Sequence, residues 1–374
     1  MKMNPLIPAA SLILRTARAA LAPAVPPYLI FFVTHRCNAA CAFCFDRTYD
    51  TSGLGPELSL DEIERIAASW RGVIQVTLTG GEPFLREDLA DVAGAWARAG
   101  MRSLTLATNG ILTDRIVDTV RGLLASWPGL MLDLNISIDG PAPLHDRLRT
   151  VEGAWEAAMA TAAALAPLQQ QHPLFRLGAT LTVSAFNPAV AVETVRALLA
   201  DGRFRRVQAV WVRGRPFDPS ALAADFGIYE QCVKELERQR GGPAAGRVKA
   251  ALARLTRETV ARTVREDRMI LPCRAGGSLV ELDAFGRVYP CEMLWQTRPE
   301  GAPGQGIDSW VLGSLRETGY SIRTVMASPR AQKVRAWVRD TGCYCSFECA
   351  AYANVVFNPR QWPRALTRVF AGGE

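Results

Sequence analysis

From Tyr28 to about Val212, short apolar runs alternate with amphipathic stretches. The runs are YLIFFVT (28–34), VIQVTLT (73–79), SLTLAT (103–108), MLDLNIS (131–137), RLGATLTV (176–183) and RVQAVWV (206–212). Each is short and rich in β-branched or bulky apolar side chains, and reads as a buried parallel strand. Helix starts fall between them. Ser59 with Glu62 forms a capping box, Thr113 precedes a helical run, and Asn187-Pro188 reads as an N-cap with proline at the first helical position. Six strand–helix units in succession predict an α/β fold, either a six-unit open barrel or a doubly wound sheet. In both, chemistry sits at the C-terminal ends of the strands.

Outside this stretch the pattern changes. Residues 1–27 form a leader in which Leu14, Ala17 and Leu21 share one helical face, opposite Arg15 and Arg18. The expected role is a helix packed across the barrel, and the alternative is a membrane-surface contact by residues 8–22. Residues 28–218 make the barrel. Residues 219–270 are alanine- and charge-rich and read as a helical linker broken by Gly-Gly-Pro at 241–243. Residues 271–360 carry cysteines, glycines and short strand-like pieces, marking a second, smaller domain before a tail at 361–374.

Composition narrows the class. The chain has 374 residues, 49% of them hydrophobic, enough for a large core and about two units. The net charge of +7 is spread along the chain. Arg203, Arg205 and Arg206, or Arg213 and Arg215, therefore read as solvated or phosphate-contacting points, with no nucleic-acid face. No apolar run reaches membrane-spanning length. Ala20-Leu21-Ala22 resembles a cleavage site, but Arg15 and Arg18 interrupt the apolar core a signal peptide needs.

Eight of the nine cysteines lie in two regions, 37–44 and 273–349, and Cys232 stands alone in a helical run as a small buried residue. Tight grouping in an enzyme-sized chain points to metal ligation in a reducing compartment, the cytoplasm, rather than disulfides. Cys37, Cys41 and Cys44 follow the first strand at the spacing C-x3-C-x2-C. A [4Fe–4S] cluster usually takes four thiolates, so three leave one iron open. The alternative is zinc completed by His35, although zinc ligands usually come in two separated pairs.

With these residues the chain resembles the radical S-adenosylmethionine (SAM) enzymes, whose cysteine motif carries an aromatic residue where Phe43 stands. Gly80-Gly81-Glu82-Pro83 ends the second strand and looks like the family's GGEP motif. Thr108-Asn109-Gly110 ends the third. Ser137-Ile138-Asp139-Gly140, followed by His145-Asp146 and Arg149, ends the fourth. Thr182-Val183 with Asn187 follows the fifth. The resemblance implies that SAM chelates the open iron and is cleaved reductively to methionine and a 5′-deoxyadenosyl radical. It also implies cofactor contacts at Phe43, Gly80, Gly81, Glu82, Pro83, Thr108, Asn109, Ser137, Asp139, Val183 and Asn187. The two glycines would let backbone approach the methionine end, and Glu82 would orient the turn or pair with the ammonium group. For Ser137 and Asp139 a helix cap or Asx-turn is the competing explanation. His145 reads equally as a structural residue.

The second set reads C-x12-G-x4-C for Cys273, Gly286 and Cys291, then C-x-C-x3-C for Cys343, Cys345 and Cys349. It resembles the auxiliary-cluster domain of the SPASM and twitch subgroups. The full pattern has seven cysteines, and this one has five. The resemblance therefore implies a partial (β/α)6 TIM-like barrel with a small C-terminal iron–sulfur domain holding one auxiliary [4Fe–4S] cluster. Cys273 and Cys291 would ligate it with two of Cys343, Cys345 and Cys349. Cys345 and Cys349 are the expected pair and Cys343 the dispensable thiol. A zinc ribbon is the competing explanation.

The implied function is hydrogen abstraction from a peptide or specialised metabolite, with a flavodoxin- or ferredoxin-type protein as reductant. Only 27 residues precede the first strand, so substrate recognition is expected from the barrel or from a recognition partner, and no cobalamin domain is expected. The contrasting expectation is a non-catalytic iron–sulfur or zinc protein that moves electrons to a partner.

Overall fold

The computed structural model describes residues 6–21, 25–237, 244–296 and 307–371. Six parallel strands match the apolar runs closely: β1 (Tyr28–Thr34), β2 (Gln75–Gly80), β3 (Ser103–Thr108), β4 (Met131–Ser137), β5 (Phe175–Val183) and β6 (Arg206–Trp211). They pair in consecutive order, β1 with β2 through to β5 with β6. Beyond β1 the sheet continues through β7 (Leu279–Leu282), parallel to β1, and then the antiparallel strands β8 (Arg287–Tyr289) and β9 (Gly313–Ser314). The cysteine-bearing C-terminal segment thus extends the barrel sheet through shared hydrogen bonds. The mixed α/β fold is a partial barrel.

The continuous apolar reading holds best for β1, buried at every position. In β2 and β6 alternate positions are only half-buried. Val76 and Leu78 are buried in the main core, whereas Thr77 and Thr79, on the other face, line the open interior. That interior is charged at its base. Arg176 grips Asp133, its cross-strand neighbour, and Arg206 lies 3.8 Å from the same carboxylate. The helix Glu348–Val356 bridges the open side. Its Tyr352 packs edge-on to Tyr28 of β1 at 6.1 Å, and its Glu348 carboxylate accepts the Trp211 N–H at the end of β6.

The Ser59–Glu62 capping box forms as expected. Asn187 does not cap a helix. The helix begins only at Ala191, because the Asn187 side chain is engaged between strand ends. The leader is a helix, Leu6–Leu21, yet it exposes Leu14 and Leu21 and buries Ala20, so the expected apolar face is not the one that packs. The linker folds as helices Phe226–Leu236 and Ala244–Glu266, and its 241–243 break lies outside the described residues. Cys232 is fully buried, as a small core residue should be. Two arginine readings are corrected: Arg206 and Arg213 are not solvated points, since each sits against buried carboxylates.

Candidate active site: two cysteine sets at the barrel mouth

Residues 35–46 leave β1 and cross the C-terminal end of the sheet. Three separate segments hold this loop by its backbone, and a fourth by a side chain. Gly81 N–H donates to the Thr34 carbonyl (2.9 Å) and Glu82 N–H to the Arg36 carbonyl (2.8 Å). Ala40 N–H is shared between the Arg149 carbonyl (3.2 Å) and Thr150 Oγ1 (3.1 Å). The chain after β6 adds Phe217 N–H to the Cys44 carbonyl (3.0 Å) and Asp218 N–H to that of Ala42 (2.8 Å). From the end of β3, Asn109 Nδ2 donates to Asn38 Oδ1 at 2.7 Å.

The approach is closest at the two glycines. A Cβ on Gly80 would stand 2.1 Å from the Thr34 carbonyl oxygen, and one on Gly81 would stand 2.2 Å from that of Arg36. The glycines are therefore required by the cysteine loop itself, before any ligand is considered. Glu82 is fully buried. Its carboxylate accepts from Phe84 N–H, Thr108 Oγ1 and Asn109 N–H, at 3.1, 2.9 and 2.8 Å. Burial pushes it up to about 7 against those bonds. Of its two expected tasks, orienting the turn is the one these bonds perform. Pro83 opens a short 3-10 turn behind it.

Asp139 is likewise buried and occupied. Arg149 binds it through Nε at 2.9 Å and through Nη2, and Thr182 N–H donates to its other oxygen at 2.9 Å. Asn187 donates to the Asp139 and Thr182 carbonyls, tying β4 to β5 beside the buried Val183. His145 accepts the Asp139 N–H through Nδ1 at 3.1 Å, and burial lowers it to about 4. Ser137, half-buried at the end of β4, stays on the interior face.

The loop exposes Cys37, half-buries Cys44 and buries Cys41. Surrounding protein pushes Cys37 up to about 11 and Cys44 to about 12, with the Cys41 thiol adding to both. Phe43 lies under the Arg149 guanidinium at 5.5 Å. Burial would lower Arg149, but Asp139, Cys41 and Cys44 raise it overall. Three neighbouring thiols beside one buried cation fit a cluster with a free iron position. The buried Nε2 of His35 has no hydrogen-bond partner. Its ring stacks on Tyr49 at 4.1 Å and its Nδ1 pairs with Asp46 at 2.8 Å.

The second set is assembled from distant segments. Cys291 is pushed well up by burial and then by Cys345, Cys273 and Cys343. Cys343 is pushed up to about 12 by burial and by Cys273, and Cys345 also rises from burial, Cys273 and Cys343. Cys349 differs. Its strongest influences after burial are Glu292, Arg213, Tyr28 and Glu348. Cys343 thus shares its electrostatic neighbours with Cys273, Cys291 and Cys345, whereas Cys349 is influenced chiefly by the carboxylates and Arg213. Helix geometry is the reason. Cys349 lies within the helix Glu348–Val356 and faces β1, whereas Cys343 and Cys345 precede that helix on an irregular strand. Among the described residues no three His, Cys, Asp or Glu side chains are placed so that they could hold a metal ion.

Sequence reasoning missed the residues that join these parts. Arg213 binds Glu292 and Glu348, and Arg47 donates to the Ala40 and Cys41 carbonyls. No short-range pattern announces such contacts.

Comparison with known proteins places part of the chain. Residues 31–170 match the Radical SAM superfamily, so this segment is a domain of that enzyme superfamily. The GTP 3′,8-cyclase of Stenotrophomonas maltophilia is 35% identical over 131 residues, 34% of this chain and 37% of that protein. The chain thus aligns with little more than a third of that relative. Among solved structures, Streptococcus suis SuiB bound to S-adenosylmethionine superposes with a TM-score of 0.58 at 15% identity, covering 88% of this chain and 72% of SuiB. The anSMEcpe structure with bound AdoMet and Kp18Cys peptide gives 0.56 at 14%, covering 92% and 100%. These two likenesses concern the fold.

Proposed function

We propose that this protein is a cytoplasmic radical SAM enzyme with an auxiliary iron–sulfur cluster of the SPASM/twitch kind. Cys37, Cys41 and Cys44 would hold the first [4Fe–4S] cluster, and Cys273, Cys291, Cys343 and Cys345 the second. Held there, the first cluster would supply the one-electron reduction that cleaves the sulfur–C5′ bond of SAM, and through it hydrogen-atom abstraction from an unactivated C–H bond.

The protein's own part is positional. Glu82, Thr108 and Asn109 lock the turn behind the cysteine loop. Asp139, Arg149 and Asn187 fix the ends of β4 and β5. Asp139 and Asn187 thereby brace the strand ends. The observation that carries the reading is that several motif segments, distant in sequence, hydrogen-bond to one loop bearing three thiols.

The substrate reading is a peptide or a specialised metabolite. SuiB has been solved with its precursor peptide SuiA, which favours a peptide, and the cyclase likeness keeps a small molecule in view. Electrons would come from a flavodoxin- or ferredoxin-type protein. Among the described residues no helix is long and apolar enough to cross a membrane. All nine cysteines are free thiols, which suits a reducing compartment.

The test is anaerobic reconstitution followed by incubation with SAM and a strong chemical reductant. 5′-Deoxyadenosine and methionine are the expected products, lost in Cys44→Ala. S-adenosylhomocysteine as the sole product would make the protein a methyltransferase instead.

A further inference from the structure

Arg213 stands two residues beyond the end of β6, at the mouth of the barrel. Its guanidinium is the meeting point of two segments far apart in sequence. Nε and Nη2 both reach Glu292 Oε1 at 2.7 Å, and Nη1 reaches Glu348 Oε2 at 3.0 Å. Glu348 Oε1 in turn accepts the Trp211 N–H at 2.9 Å, so that carboxylate spans the strand end and the arginine. The Phe347 ring covers the guanidinium at 4.8 Å. Glu292 is almost wholly enclosed, and Arg213 and Glu348 are mostly so.

The neighbours of these carboxylates matter. Glu292 directly follows Cys291, and Glu348 lies three residues after Cys345. The donors of the second set thus arrive on two arms, each carrying one carboxylate, and both carboxylates close on the same cation. We propose that Arg213 is the positioning residue that registers the auxiliary cluster on the barrel: one fork fixes both cysteine arms at the exit of β6 and offsets their buried negative charge. This rests on the reading that the second cysteine set holds a cluster. A lysine cannot do the same work, since it lacks the planar fork that serves two carboxylates at once. Without the arginine, two enclosed carboxylates would face each other beside four thiolates, and assembly there would be opposed.

The experiment uses full-length protein in which Cys37, Cys41 and Cys44 are alanine, so that only the second site can bind iron. The parent of this series should hold about four irons per chain with the absorbance and reduced-state paramagnetic signal of a [4Fe–4S] cluster. Arg213→Gln should lose at least three quarters of that iron, and Arg213→Lys should recover only part of it. Arg316→Gln, which breaks an ion pair to Glu62, serves as control and should keep all of it. Glu348→Gln preserves shape and removes one negative charge, so its cluster should assemble with a reduction potential shifted to more positive values. That readout stands even if Arg213→Gln does not fold. Full iron in Arg213→Gln, or an unchanged potential in Glu348→Gln, overturns the proposal. Absence of iron–sulfur signal in the parent series overturns the reading beneath it as well, and so separates the two failures.

Discussion

The two cysteine regions reach similar chemistry by opposite routes. The first set is local. Three thiols fall within eight residues of one loop, and glycines, carboxylates and an arginine from four strand ends brace that loop. The second set is remote, with Cys273 and Cys291 flanking β7 and β8 and Cys343 and Cys345 more than fifty residues later. A local set is specified by backbone approach, so it depends on residues with no side chain to obstruct. A remote set is specified by what joins its arms, here a sheet edge and a buried ion-pair bracket.

That contrast orders the expected effects. The largest is at the glycines. Gly81→Ala places a carbon 2.2 Å from the Arg36 carbonyl oxygen, and the loop cannot close over it. It should lose SAM cleavage and the first cluster's iron entirely, with a stability loss above ~3 kcal/mol by thermal melting. Retained cleavage would show that the loop is not held by this approach.

Next comes the buried pair beneath the loop. Arg149→Met leaves Asp139 enclosed without its cation, which typically costs about 3–5 kcal/mol. Denaturant unfolding should show this, together with weaker cluster retention at the first set and none at the second. Losing both clusters equally would mean that the two regions are not independent.

Third, single alanine variants at Cys343 and Cys349 separate donor from bystander. Cys343→Ala should remove the auxiliary cluster's signal and destabilise its segment, whereas Cys349→Ala should keep about eight irons per chain. The reverse result would restore the ligand pair expected from sequence spacing.

The smallest effect lies at the outer edge. Glu62 is held down to about 2, chiefly by its bonds to Arg316. Its folded value lies below the usual 4.5, so the stabilisation is present above pH 4.5 and is lost as pH falls towards 2. Because the pair is partly solvated, the difference between parent and Glu62→Gln should be no more than about 1 kcal/mol at neutral pH, vanishing in acid. A difference that grew in acid would refute this sign.

Much of this was legible in the sequence, for physical reasons. Parallel barrel strands must be apolar on the face that meets the helices, so six runs announced six strands within a residue or two at most ends. The first cysteine set was legible because its three thiols share one loop. What stayed hidden depends on long-range contact. Asn187 looked like a helix cap because Asn-Pro usually is one, yet its amide serves two carbonyls across β4 and β5. The Asp139 carboxylate is engaged by Arg149, ten residues on, which no local pattern announced. Cys349 lies within a helix beside Tyr28, a neighbour its spacing did not announce. Arg213 looked solvated, and only folding brings Glu292 and Glu348 to it.

The account's central claim is that the chain carries two separate clusters, one on each cysteine set. Iron and sulfide counted on anaerobically reconstituted protein test it most directly. The prediction is about eight irons in the parent and about four when Cys37, Cys41 and Cys44 are all alanine. A parent holding about four irons that fall to none in the triple variant would contradict the second cluster, and stoichiometric zinc without iron–sulfur absorbance would contradict both.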